Sequence, residues 1–227
     1  MTIAWVIATV TIPASSIKAQ DTPIPRVIDR RLQINLFAED PDIVTPIGMA
    51  ISADDRIFVI ESHTHLRSKS YAGPTSDRIK VFVDRDNDGQ FDQQSVFADG
   101  LREAMNLAFS PDGDLYVVCA RTVVHLPDRN RWHASHHVVL QLETQERYAH
   151  NSLLGITFDK TGHMYVARGN TGSHVSHRRT GRIVSRSYGD GGSIIRSRRT
   201  EVEDGEFATG FWNPFDLKFD AADACWL

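Results

Sequence analysis

The sequence predicts an all-β fold of the β-propeller type, and three observations predict it. Four segments share one pattern: an apolar strand, a tight Asp/Gly turn and a second strand of apolar and aromatic residues. The stretches between them hold further short strand-like runs. No stretch has the length or the 3.6-residue period of a substantial helix. The segments are PIGMAISADDRIFVI from Pro46, MNLAFSPDGDLYVV from Met105, LLGITFDKTGHMYVA from Leu153 and PFDLKFDAADACWL from Pro214. Ile51, Phe109, Phe158 and Phe219 are equivalent, as are Phe58, Tyr116, Tyr165 and Trp226, at intervals of 58, 49 and 61 residues. Four strands per unit at such a period describe propeller blades, whereas a β-sandwich would not repeat one strand-turn-strand unit four times.

In chain order, residues 1–19 read as a secretory signal. An apolar run at 3–12 is followed by Pro13, small residues and Ile17-Lys18-Ala19 before Gln20. The run is too short to span a bilayer, and no Lys or Arg precedes it, so an N-terminal strand is the alternative. Residues 20–33 read as a Pro-rich linker and 34–227 as the propeller. The first unit adds strands at 78–83 and 95–98, and the second at 122–126 and 137–142. The third adds one at 193–196. This amounts to three blades and half of a fourth, where closed rings have about four to eight. The expectation is a truncated product of a longer gene, exported to the periplasm or associated with a membrane, with no transmembrane span in the mature chain.

Composition narrows the function. The 227 residues carry 25 Lys plus Arg against 29 Asp plus Glu, a formal charge of −4, without the basic excess of a nucleic-acid binder. Apolar residues at 41% and charged residues at 24% fit a globular chain. Cys119 and Cys225 are the two cysteines, which excludes a disulfide framework, a Cys-based zinc site and c-type haem attachment. Both fall in expected strands and read as buried thiols.

Propeller topology sorts the candidate residues by rim. Residues leading into innermost strands share one rim with the loops that follow second strands, and there a propeller binds its ligand. His150, before the third innermost strand, is the candidate general base, because imidazole titrates near neutral pH. Trp212 and Asn213 lead into the fourth. The stretches 62–77 and 169–191 read as long loops over this mouth, bringing His63, His65, His174, His177, Arg178, Arg179, Arg182 and Arg186. His63 and His65, after Glu61, suit either a metal chelate or a polar loop. Seven Arg between 178 and 199, against one acidic residue, Asp190, suit an anionic ligand or a solvated loop. On the opposite rim, DRDNDGQFD places Asp84, Asp86, Asp88 and Asp92 at spacings that match a calcium loop, with Gly89 at the sharp turn and Ser95 where the bidentate Glu would stand. An ordinary hairpin turn selects the same residues.

These motifs carry a resemblance. His150-Asn151-Ser152-Leu153-Leu154-Gly155, FDKTGHMYVARGN, GGSIIR and TGFWNPFDLKFD are similar to the glucose/sorbosone dehydrogenase propellers. With IVTPIGMAISADDRIFVIESHTH and SDRIKVFVDRDNDGQFD, the chain resembles the membrane-bound dehydrogenases of planctomycete-type bacteria from about Leu32 to Phe219. The resemblance implies a six-bladed propeller and oxidation of a sugar or alcohol by pyrroloquinoline quinone (PQQ). His150 would take the substrate proton, and Asn213 and Trp212 would lie at the cofactor, with a haem-c electron acceptor in the full-length protein. Trp212 stands where the family's motif has Arg. The two expectations are therefore a quinone-type dehydrogenase, inactive in this short form, and a non-catalytic propeller that binds a carbohydrate or protein partner.

Overall fold

The computed structural model describes residues 26–127, 136–145, 151–170, 174–186, 191–198 and 205–227. The signal reading at 1–19, the linker up to residue 25 and His150 lie outside the described residues. The chain divides into two units, one up to Leu36 and one from Phe37 to Leu227. In the first, the Asp29 carboxylate accepts from the Arg31 backbone N–H at 3.0 Å and from its guanidinium at 2.7 Å.

The described elements of the second unit are strands. They run β1 (Pro46–Ile51), β2 (Ile57–Glu61), β3 (Asp77–Val83), β4 (Gln93–Leu101), β5 (Ala104–Phe109), β6 (Leu115–Cys119), β7 (Thr122–Leu126), β8 (His137–Glu143), β9 (Leu153–Phe158), β10 (Met164–Arg168), β11 (His174–His177), β12 (Ile183–Arg186), β13 (Gly192–Ser197), β14 (Gly205–Phe211), β15 (Lys218–Phe219) and β16 (Cys225–Trp226). β1 to β4 form one antiparallel meander, β5 to β8 a second, and β9, β10, β13 and β14 a third, with β15 and β16 as a hairpin. The innermost strands follow one another in space: β1 lies against β5, β5 against β9 and β9 against β15. This is propeller architecture, with each sheet one blade.

One turn recurs four times, between the first and second strands of every blade. In it the N–H of Ser52, Ser110, Asp159 or Asp220 donates to the carbonyl of the residue four positions on, at 2.9 to 3.1 Å. Each turn ends on a left-handed residue, at Asp55, Gly113, Gly162 and Asp223. Asp and Gly tolerate that conformation best, which is why the repeats carry them there.

Alternation along β6 explains how blades stack. Leu115, Val117 and Cys119 join one core with Phe58, Ile60 and Ile79 of the first blade. Tyr116 and Val118 join another with Leu153, Ile156 and Val166 of the third. A blade covered on both faces has no solvent side, so β6 and β10 are buried throughout. β1 has one covered face and leaves Met49 and Ile51 about 60% exposed. The repeated aromatic positions meet between blades. Ring centroids lie 5.1 Å apart for Phe58 and Phe109, 5.0 Å for Tyr116 and Phe158, and 4.8 Å for Tyr165 and Phe219. Burial of the Cys119 thiol in this stack pushes its pKa up to about 12, so it is an inert core group.

The stretch 169–191 is not a loop over the mouth, as its Gly, Ser and Arg content suggests. Its described part forms the β11–β12 hairpin, with β11 pairing along β8 and widening the second sheet to six strands. Val175 and Val184 supply the reason: both are buried in the core between the second and third blades. Gly181, left-handed at φ 70°, makes the hairpin's turn. Among the described residues no helix is long and apolar enough to cross a membrane.

Close approach of the innermost strands depends on glycine at Gly155. A methyl there would sit 2.9 Å from the Phe215 carbonyl and 3.0 Å from the Asp216 Cα, both backbone atoms that cannot swing away. Gly155→Ala is expected to cost about 1–3 kcal/mol in urea unfolding. Gly205→Ala, which meets nothing within 4 Å, should cost under about 1 kcal/mol.

Candidate functional site

The rim bearing the leads into the innermost strands is organised by two buried carboxylates from the first blade. Asp77 opens β3 and is fully buried. One of its oxygens accepts from the backbone N–H of His63 (2.5 Å) and Thr64 (2.7 Å). The other accepts from the Thr64 hydroxyl (2.8 Å) and the Ala104 N–H at the head of β5 (2.9 Å). The Thr64 hydroxyl in turn accepts from the Glu103 N–H at 2.6 Å. The chain after β2 is thereby fixed to the chain entering the second blade.

Glu61, the last residue of β2, is also fully buried. Its Oε1 accepts from the Val44 N–H at 2.9 Å and lies 3.1 Å from Lys80 Nζ. Its Oε2 lies 2.9 Å from Arg78 Nε and 3.2 Å from His63 Nε2. The last two are close contacts rather than aligned hydrogen bonds. Burial opposes ionisation of Glu61, but the His63 imidazole, the Val44 N–H and Lys80 outweigh it and hold the pKa below its usual value. His63, only 4% exposed, turns its Nδ1 to the Tyr71 hydroxyl at 2.5 Å.

His63 turns its ring nitrogens to Tyr71 and Glu61, which favours the polar-loop reading of His63 and His65 over the metal chelate. Among the described residues, the group of three or more potential ligands is Asp84, Asp86 and Asp88, whose oxygens lie within 4.8 Å of one another. There the Asp84 carboxylate accepts from the N–H of Asn87 (2.8 Å) and Gly89 (3.0 Å), both left-handed. Asp92 falls outside the trio, and its carboxylate accepts from the Arg85 N–H at 2.7 Å, closing the β3–β4 turn. No sequence signal separated Asp92 from the others.

At the lead into β15, Trp212 is 71% exposed, and Asn213 turns its carbonyl oxygen to the Asn170 N–H at 3.2 Å. Asp216 accepts from the Asn106 amide at 2.9 Å, and Lys218 Nζ lies 3.5 Å from its carboxylate. Gly48, Asn106, Gly155 and Asp216 hold the same place in the four repeats. Glycine in the third blade thus leaves room for the second and fourth to join in front of it. His177, Arg178 and Arg179 are elsewhere: with Ser110, Tyr116 and His137 they line a cavity of about 380 Å³ beside the opposite rim. Sequence reasoning named Glu61 only as the carboxylate before the His63 and His65 pair and missed Asp77 and Tyr71 as site residues. The ESHTH run held a signal for Glu61, whereas nothing local marked Tyr71.

Fold and rim together define a β-propeller with a polar, partly aromatic mouth. The chain belongs to the family described as Domain of unknown function (DUF7133), which matches residues 26–219. No curated protein matches it. Among solved structures it is similar to a luciferin-regenerating enzyme, at 14% identity over 76% of this chain and 49% of that one, with a TM-score of 0.48. It is also similar to the periplasmic gluconolactonase of Pseudomonas aeruginosa, at 11% identity over 78% and 63%, with a TM-score of 0.46. Virginiamycin B lyase of Staphylococcus aureus gives 13% identity over 84% and 65%, with a TM-score of 0.43. The chain spans less than two thirds of the length of each of these structures. At such identities the likeness concerns fold alone.

Glu61 links this rim to pH. A carboxylate with a depressed folded pKa contributes stability above its unfolded pKa, and that stability is lost as pH falls through the folded one. Glu61→Gln is expected to cost about 3 kcal/mol at pH 7. In parallel unfolding curves the difference from wild type should shrink as pH falls below the ordinary value of 4.5.

Proposed function

We propose that the mouth binds a hydroxyl-rich small molecule, a sugar or a sugar alcohol. The carrying observation is Trp212, an indole 71% exposed on the short segment that also presents Asp216. An exposed aromatic face on the same segment as a carboxylate suits a ring with one apolar face and a rim of hydroxyls. Export to the periplasm belongs to the same proposal and rests on the pattern at 1–19. The dehydrogenase reading rests on the motif resemblance and on His150.

PQQ, a planar tricarboxylate, fits the described mouth less well. Trp212 replaces a cation, Asp216 adds a negative charge, and the Asn213 carbonyl oxygen is taken by Asn170. A haem-c partner has no separate support. The Asp84, Asp86 and Asp88 carboxylates support a structural calcium ion that would brace the β3–β4 turn, far from any chemistry.

Three measurements test these readings. Tryptophan-fluorescence titration with aldoses and polyols should show saturable binding that Trp212→Ala weakens about tenfold. Binding unaffected by that change would remove the mouth from the proposal. Dye reduction with added PQQ and calcium should stay at background, and robust turnover lost on His150→Ala would restore the dehydrogenase reading. Calorimetry should find calcium binding at about 0.1–1 mM that Asp86→Ala abolishes. Absence of that heat would leave an ordinary turn.

A further inference from the structure

We propose that the cavity between the second and third blades, beside the rim opposite the mouth, binds a small organic anion with a planar apolar body. The proposal is independent of the sugar-binding reading. At about 380 Å³ the cavity has the volume of a small-molecule site. Its walls come from both blades and from the β11–β12 hairpin, which follows β10 of the third blade but pairs along β8 of the second.

The floor is apolar and held in place. Tyr116 lies between His125, stacked on it at 4.5 Å between ring centroids, and Phe158 at 5.0 Å. Met164 at the head of β10, with Val138 and Val139 of β8, completes the apolar surface. Met164 pairs across the ladder with Ser197 at the end of β13, and Ser197 Oγ lies 3.2 Å from His177 Nε2. Ser197 and His177 both line the cavity and are both more than nine-tenths buried. The walls from β10, β11 and β13 are thereby joined, so little ordering is left for a ligand to impose.

The charged lining is mostly cationic. Among the described residues it consists of Arg178, Arg179 and Arg198 against one carboxylate, Asp112, in a chain whose formal charge is −4. The Arg178 backbone N–H donates to the Val139 carbonyl at 3.0 Å. This bond continues the β11–β8 ladder one residue past the strand and brings Arg178 beside the floor. Arg198 follows Ser197 directly. A cavity left by imperfect packing is apolar throughout, whereas this one sets guanidinium groups beside aromatic rings and a thioether. Guanidinium forks recognise carboxylate and phosphate oxygens in pairs, and the rings and thioether suit a flat apolar group. A polyol brings no charge for the first, and bare phosphate brings no surface for the second. The ligand class is therefore an aromatic carboxylate or phosphate monoester.

Titration calorimetry on the full chain tests this with four probes: naphthoate, naphthyl phosphate, the neutral naphthalenemethanol and inorganic phosphate. At least one of the two aromatic anions is expected to bind about tenfold more tightly than either the alcohol or inorganic phosphate. Whichever anion binds more tightly names the headgroup. Arg178→Gln combined with Arg179→Gln should remove the advantage over the alcohol, and both residues are exposed, so the core is left intact. Equal binding of alcohol and anions, a double variant that binds as wild type does, or failure of both anions to bind at millimolar concentration would overturn the proposal. Methyl NMR of the wild-type chain gives the location. The chain has four Met, of which Met164 lines the cavity and Met49 is exposed on β1. The ring current of bound naphthoate or naphthyl phosphate should shift the Met164 methyl and leave that of Met49 in place. A shifted Met49 with Met164 unmoved would put the ligand on the bare face of β1 and equally overturn the proposal.

Discussion

The stacking of one blade face on the next is the constraint on which everything else depends. No blade can bury its apolar residues alone, because each sheet is one strand layer thick and apolar on two faces. Burying each large side chain of β6 is worth about 1.5–3 kcal/mol, whereas a ring contact such as Tyr116 on Phe158 adds about 0.5–1.5 kcal/mol. Area therefore supplies the stability, and the aromatic contacts set the register in which blades meet. The three contacts have almost the same spacing, which places the innermost strands side by side with their lead-in segments on one rim. Ile51 and Trp226, the remaining members of the two aromatic series, are the exposed ends of this row.

That rim is where the fold stops being repetitive. The turns on the other side are four versions of one structure, but among the described residues the connections around the mouth differ from blade to blade. The first blade contributes Asp77 and Glu61, whose buried charges are matched by backbone N–H groups, Lys80, Arg78 and His63. Charges this deep are tolerated only when so matched. Their effect is to hold residues 62–77 as a fixed structure rather than a loose loop. The fourth blade contributes Asp216 and Trp212, placed by the glycines at Gly155 and Gly192 that let its lead segment approach the third blade closely.

Much of this was legible in the residues. The repeat pattern located the innermost and second strands, and the Asp/Gly turns marked the link between them, because left-handed backbone restricts residue choice so strongly. The β11–β12 hairpin was not legible. Its strands are four residues each, and only Val175 and Val184 point to the core, too few to show a period. The candidate site was legible in part. Position in the repeat put His63, Trp212 and Asn213 on the mouth rim, since topology alone decides that. It did not reveal that His63 turns to Glu61 and Tyr71, because the Tyr71 contact closes a loop of eight residues. Asp92 lies outside the Asp84, Asp86 and Asp88 trio and accepts from the Arg85 N–H across the β3–β4 turn, a pairing of which spacing carries no trace.

The central claim is that the ligand site lies on this rim, at the lead into β15. A crystal of the chain soaked in a concentrated polyol tests it most directly. The account predicts polyol density against the Trp212 ring, with hydroxyls directed to Asp216 or Asn106. Density found instead in the cavity lined by Arg178, Arg179 and His137, with the mouth bare, would contradict it.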